Sequence, residues 1–174
     1  MFLGDSVTQG CFELYKVDEK NLQAVFEKKF AYHSYVSKIL GALFPEMPVN
    51  IINAGASGNS ARDVLERLER DVLSFNPDLT VVCFGLNDCS DKELIAVAEE
   101  KCASQCGGIA DRFIDAARSV AKELDVKVCD VYAKRKTLAE NGVNTTVLLS
   151  NKINHLTRDM NLLFAYSIVE TMMK

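Results

Sequence analysis

Three times along the chain a short apolar run ends in glycine and small polar residues. Phe2-Leu3 precedes Gly4-Asp5-Ser6, Val49 to Ile52 precedes Asn53 to Ser60, and Leu79 to Phe84 precedes Gly85-Leu86-Asn87-Asp88. Runs this short and unbroken suit the buried strands of a parallel sheet, and the polar residues after each suit loops at its carboxyl edge. Between the runs, apolar positions recur at helical steps. From Asn21 to Phe44 the stripe passes through Val25, Phe26, Phe30, Tyr32, Val36, Ile39, Leu40 and Leu43, which predicts one long helix stopped by Pro45 and Pro48. Val64, Leu65, Leu68, Val72 and Leu73 predict a crossover helix over Ala61 to Phe75, with Arg62, Glu66, Arg67, Glu69 and Arg70 mostly turned away. The result is a β-α-β-α-β core whose strands all finish on one side.

The second half is less regular. Lys92 to Ser104 reads as helical, Gln105 to Gly108 as a break, and Ile109 to Leu124 as a helix with Ile109, Phe113, Ala117, Val120, Ala121 and Leu124 inward. Asp125 to Val131 predicts a fourth strand, and the residues up to Leu149 carry no clear period. Thr157 to Met173 predicts a closing helix capped by Thr157, with Met160, Leu163, Phe164, Ser167, Ile168 and Met172 available for its inner face. Cys11 to Lys20 mixes polar and aromatic residues without a period and reads as a loop.

Composition narrows the field. At 174 residues, 48% apolar and 25% charged, the chain suits one domain spanning 1–174 with a sizeable core. A net charge of −4 gives no electrostatic reason to expect a nucleic-acid partner. No apolar run approaches bilayer length and no secretory signal opens the chain, so the expectation is a cytoplasmic protein without a membrane partner, a removed signal being left open. The six cysteines are irregularly spaced and read as mostly free thiols. Cys102 and Cys106 make half a metal site at most, and nothing completes it.

Ser6 stands in a glycine-bracketed turn that can lift a hydroxyl out of a sheet edge. Alone, it is a polar turn with a serine in it. Joined to two glycine- and amide-bearing loops and to His155 ahead of the last helix, it becomes a candidate nucleophile. Gly4 to Ser6 (G-D-S), Asn53 to Gly58 (N-x-G-x-x-G), Gly85 to Asp88 (G-x-N-D) and His155 together resemble the SGNH hydrolases, the GDSL esterase/lipase family, in order and from end to end.

That resemblance implies an α/β, flavodoxin-like three-layer sandwich around a central parallel sheet. It implies a serine esterase hydrolysing an acyl or acetyl ester through an acyl-enzyme, with Ser6 as nucleophile and His155 as base and then acid. The backbone N–H groups of Ser6 and Gly58 and the side-chain amide of Asn87 would form the oxyanion hole. Asp5 and Asp88 only accept hydrogen bonds and are expected to hold loops by accepting from backbone N–H groups. The expected substrate is a small-molecule or carbohydrate ester, with no metal and no organic cofactor.

Two departures stand out. The family's D-x-x-H places an aspartate three residues before the histidine, and here that position is Lys152. A lysine accepts no hydrogen bond. The expected repair is a Ser-His dyad oriented by a backbone carbonyl or by the amide oxygen of Asn151 or Asn154; a distant carboxylate or a weak catalyst are the alternatives. The family's additional strand is also not found between Asp88 and Ile109, so that either the sheet is one strand short or the resemblance fails locally. A catalytically weak or inactive SGNH-fold protein binding carbohydrate or a small ligand is the competing reading. A flavodoxin-like phosphate binder is disfavoured by the charge of Asp5. His33, outside every loop of the site, reads as a packed or surface residue.

Overall fold

The computed structural model describes residues 1–18, 21–88 and 109–174. Strand β1 (Phe2–Gly4) runs into a one-turn helix α1 (Ser6–Gln9), and an antiparallel hairpin, β2 (Cys11–Lys16) with β3 (Leu22–Phe26), follows. Helix α2 (Tyr32–Leu43), strand β4 (Asn53–Gly55), short helices α3 (Ala61–Leu65) and α4 (Leu68–Asp71), and strand β5 (Val81–Cys83) complete the first half. The described second half holds α5 (Ile109–Glu123), α6 (Val131–Glu140) and α7 (Arg158–Met173). The central sheet has three parallel strands in the order β4-β1-β5, with Leu3 opposite both Ala54 and Val82.

Strand β1 carries the core on both faces because successive side chains point to opposite sides. Phe2, 3% exposed, joins Val7, Tyr32, Val36, Leu40, Ala165, Ile168 and Val169 under α2 and α7. Leu3, 2% exposed, joins Val64 and Val72 under α3 and α4. One strand thus anchors the three layers. Its two neighbours start later than their apolar runs predict, although the Phe2 N–H already donates to the Ile52 carbonyl at 2.9 Å.

The hairpin corrects two readings at once. Cys11 to Lys16 is a strand rather than a loop, and the long helix expected from Asn21 begins only at Tyr32, after β3 and a 3-10 turn at Lys28–Phe30. Leu22, Ala24 and Phe26 alternate as a strand does, yet Val25 and Phe26 also fit the helical spacing of Tyr32 and Val36. Pairing with β2 decides between them, and a partner of that kind does not show in local spacing. Asp18 helps to set the turn by accepting from the backbone N–H of Asn21 at 2.9 Å and from its side-chain amide at 2.7 Å.

The crossover helix is broken into α3, α4 and a 3-10 turn at Leu73–Phe75. Asp125 to Val131 is not a strand: it pairs with none among the described residues, and Asp130 caps α6 by accepting from the Ala133 N–H at 2.8 Å. The stripe expected inward on α5 is largely out, with Phe113, Val120 and Leu124 being 42%, 52% and 66% exposed. The helix buries Ala110 and turns Arg118 to Asp130 instead. On α7, Asn161 replaces part of the predicted apolar face, because its Oδ1 accepts the Tyr32 N–H at 3.1 Å at the start of α2, where no side chain of α2's own cap does so. Thr157 does cap α7, accepting from the Met160 N–H. The helix and break expected over Lys92 to Gly108, and the segment searched for a missing strand, fall almost wholly outside the described residues. Among the described residues, no helix is long and apolar enough to cross a membrane.

Candidate active site

The site begins where β1 meets α1. Asp5 caps that helix by accepting the Val7 N–H at 2.9 Å, and Gly10 ends it at φ 96°, a left-handed conformation open to glycine. Ser6 is the first residue between these stops. The turn is packed closely from below: a Cβ on Gly55 of β4 would stand 2.7 Å from the backbone carbon of Thr8 and 2.8 Å from the Cα of Gln9. Thr8 Oγ1 is joined to the Tyr32 hydroxyl at 2.7 Å within the core.

His155 reaches Ser6 from the other end of the chain, its Nε2 lying 2.9 Å from Ser6 Oγ. It stands in a turn closed by the Ser150 N–H on the His155 carbonyl at 2.8 Å, and Ser150 Oγ donates to the Phe12 carbonyl of β2 at 2.6 Å. Asn151 organises the turn from within. Its Oδ1 accepts from the backbone N–H groups of Ile153, Asn154 and His155, while its Nδ2 donates to Asn154 Oδ1 at 2.9 Å and lies 2.7 Å from His155 Nδ1. The residue facing the ring is one that the sequence nominated, but the atom is its amide nitrogen rather than its oxygen. Lys152, at the family's acid position, is exposed and adopts φ 60°.

The two glycine- and amide-bearing loops are tied to the same corner. Gly58 has φ 78° in a turn closed by the Asn59 N–H on the Ala56 carbonyl at 3.2 Å, a conformation that favours glycine there. Gln9 Oε1 accepts from both the backbone and the hydroxyl of Ser57, at 2.8 and 2.7 Å, linking this turn to α1. Asn87 Nδ2 donates one hydrogen to the Asn59 carbonyl at 2.8 Å, and the Asp88 carboxylate accepts the Ala61 N–H at 3.0 Å.

Arg67 was expected on the solvent side and instead lies beneath these loops. It donates to Asn59 Oδ1 at 2.7 Å, the Ala54 carbonyl at 2.8 Å and the Gly4 carbonyl at 3.1 Å. One guanidinium therefore holds the ends of two strands and the Gly58 turn. Nothing in helical spacing singles it out, since its neighbours Arg62, Glu66 and Arg70 share its polarity. Arg158 serves the hairpin: it pairs with Glu13 at 2.8 Å and with Glu27, above the Phe12 ring. Cys11, Cys83 and Cys129 are free thiols.

Burial controls the protonation of the site and its surroundings. It pushes His155 down to about 4, and at His33 burial together with the charge of Lys28 does the same. His33 is buried, its Nε2 2.9 Å from Asn53 Nδ2. Because these folded values lie below the ordinary 6.5, the unfolded chain takes up protons first, and stability falls as the pH drops from about 6.5 towards 4. Asp5 works the other way, burial raising it to about 6, so that the folded chain binds this proton first and recovers part of the loss. Two histidines against one carboxyl should leave a net loss on the order of 2–3 kcal/mol by about pH 4.5. Thermal unfolding followed by circular dichroism between pH 7 and 4.5 should show the midpoint falling; a level or rising midpoint contradicts this accounting.

Fold and site together place the chain among α/β proteins whose chemistry sits on loops at the carboxyl edge of a parallel sheet. Residues 2–109 match the model of the GDSL-like lipase/acylhydrolase family, and the chain belongs to that family. His155 lies beyond the matched residues. An acetylxylan esterase from Geobacillus stearothermophilus is 35% identical over 88 residues, which are 51% of this chain and 38% of that relative's length. Among solved structures, a lipase/acylhydrolase from Enterococcus faecalis superposes with a TM-score of 0.72 at 21% identity, covering 97% of this chain and 92% of that one. An alpha/beta hydrolase enzyme from the metagenome of Lake Arreo, Spain, gives 0.73 at 19% identity, covering 98% and 92%. The structure of an acetylxylan esterase from Geobacillus stearothermophilus gives 0.69 at 17% identity, covering 98% and 91%. At such identities the superpositions establish a shared fold.

Proposed function

We propose that this protein is a serine ester hydrolase that removes small acyl groups, acetyl foremost, from a carbohydrate or other small alcohol. The observation that carries the reading is the 2.9 Å contact between Ser6 Oγ and His155 Nε2. In the first step Oγ bonds to the carbonyl carbon while His155 takes the hydroxyl proton. The carbonyl oxygen becomes an oxyanion facing the N–H groups of Ser6 and Gly58 and the second hydrogen of Asn87 Nδ2. The tetrahedral centre then expels the alcohol, which leaves with the proton from His155. Water repeats the cycle on the acyl-enzyme: His155 accepts one water proton, the acid departs, and Ser6 regains its hydrogen.

The links Gln9–Ser57 and Asn87–Asn59 support the oxyanion assignment, since they gather the proposed donors around α1. The acetylxylan esterase relative supports an acetylated carbohydrate as substrate. Asp5 and Asp88 serve the site by fixing its loops rather than by touching the ester.

A fluorophosphonate probe tests the proposal. Wild-type protein should gain one adduct, mapped by peptide mass to Ser6, and should release acetate from p-nitrophenyl acetate and acetylated xylo-oligosaccharides. Absence of both labelling and hydrolysis would sink the esterase reading and leave a carbohydrate-binding module on the same fold.

A further inference from the structure

The nitrogen of His155 that faces away from Ser6 meets another nitrogen. Asn151 Nδ2 lies 2.7 Å from Nδ1, and the partners of that amide determine which end faces the ring. Its Oδ1 accepts three backbone N–H groups, from Ile153 at 3.1 Å, Asn154 at 3.0 Å and His155 at 2.9 Å. Turning the amide over would set an NH2 group against three donors. An amide N–H only donates, so Nδ1 is the acceptor, and the one proton of the neutral ring sits on Nε2, where it faces Ser6 Oγ. General-base catalysis needs the reverse: a proton on Nδ1 and a free lone pair on Nε2 aimed at the hydroxyl hydrogen.

We infer that Asn151 is a positioning residue that holds His155 in the Nε2-protonated tautomer, so that the resting Ser6–His155 pair is locked out of its basic form. Turnover then passes through a minority arrangement in which Nδ1 carries the proton and Asn151 has withdrawn its donor. The functional half of this inference rests on the esterase reading; the tautomer does not.

The charged groups around the ring leave Asn151 in control. Burial lowers the ring's proton affinity and Glu13 of β2 works against it, but the Glu13 carboxylate is drawn to Arg158. Lys152 is exposed. The chain also carries its own reference, because its other histidine is set the opposite way. Asn53 Oδ1 accepts the Gly55 N–H at 2.8 Å, so its Nδ2 donates to His33 Nε2 at 2.9 Å. Ser34 Oγ donates to the Lys28 carbonyl at 2.7 Å and accepts from His33 Nδ1 at 3.3 Å. Two asparagines hold two histidines in opposite tautomers.

The test is Asn151→Asp. One carboxylate oxygen can keep the backbone N–H groups while the other accepts from Nδ1–H, and Asn154 need only turn its own amide to donate. In triad enzymes the reverse change, aspartate to asparagine, costs about ten-thousandfold in kcat through the wrong tautomer, so Asn151→Asp should raise kcat on p-nitrophenyl acetate by about tenfold or more with KM little changed. The acid limb of kcat/KM should move up from near 4, because a carboxylate favours the imidazolium.

Nitrogen NMR of protein labelled at its two histidines should show one ring protonated at Nε2 and one at Nδ1 in wild type, and both at Nδ1 in Asn151→Asp. A wild-type spectrum with both rings protonated at Nδ1 overturns the inference, and needs no variant to fold. A fluorophosphonate-reactive Asn151→Asp protein that turns over no faster than wild type overturns the lock. If wild type neither labels nor hydrolyses, the esterase reading fails, while the spectrum still decides the tautomer.

Discussion

Ser6→Ala and His155→Ala are each expected to lower p-nitrophenyl acetate turnover by at least about a thousandfold, or to background if that is reached first. Both should fall to a similar level, because in the proposed mechanism nucleophile and base act as one unit and removing either ends the shared step. The two variants differ in stability. Ser6→Ala removes only an oxygen from a half-buried residue and leaves the Asp5 cap on the Val7 N–H intact, so its melting temperature should stay close to wild type. His155→Ala empties a buried site and should cost about 1–2 kcal/mol at neutral pH. Lys152→Ala should change the rate far less than either, since the residue is exposed and points no acceptor at the ring. Initial rates beside thermal melts separate these cases. Ser6→Ala turning over within about twofold of wild type would remove the nucleophile from the mechanism.

Gly55→Ala should be strongly destabilising. Its Cβ would meet the backbone of α1, falling 2.7 Å from the carbon of Thr8, 2.8 Å from the Cα of Gln9, and against the Gln9 nitrogen. A flexible side chain could swing clear, but these are main-chain atoms, so α1 must lift off β4. A shift of that kind costs about 3–5 kcal/mol, close to the upper range for one substitution. In a chain of this size the melting temperature should drop by about 10 °C. Because α1 carries Ser6, the contact with His155 should loosen as well, and surviving protein should label slowly with fluorophosphonate. Gly58→Ala is the control: among the described residues nothing lies within 4 Å of its Cβ, and its φ of 78° should cost only about 1 kcal/mol. Equal melting temperatures for the two variants would show that α1 and β4 do not approach as described.

Residue identity and spacing make the three strand-to-loop units legible, because a buried strand and the turn after it are set by a few adjacent residues. The same local signal marks Ser6, the glycine and amide loops and His155, and the fold brings the hydroxyl and the imidazole to 2.9 Å. The reading weakens wherever two distant segments must agree. The β2–β3 hairpin passes for part of a helix because Val25 and Phe26 satisfy either period until Cys11 to Lys16 is there to pair with them. Asn161 looks misplaced on an apolar face until the first turn of α2 needs an acceptor. Arg67 looks like any surface arginine until two strand ends and the Gly58 turn converge on it.

Taken alone, the order of residues pointed to the family and to the layout of the parallel core, and it nominated the side chains proposed for acyl chemistry, since all of these follow from residue type and short-range pattern. Only the folded chain decided what faces the His155 ring. Lys152 in place of an acid announces that something else must face His155, but an asparagine can present either end of its amide. Three backbone N–H groups, brought onto one oxygen by the closure of a single turn, settle that the nitrogen faces the ring.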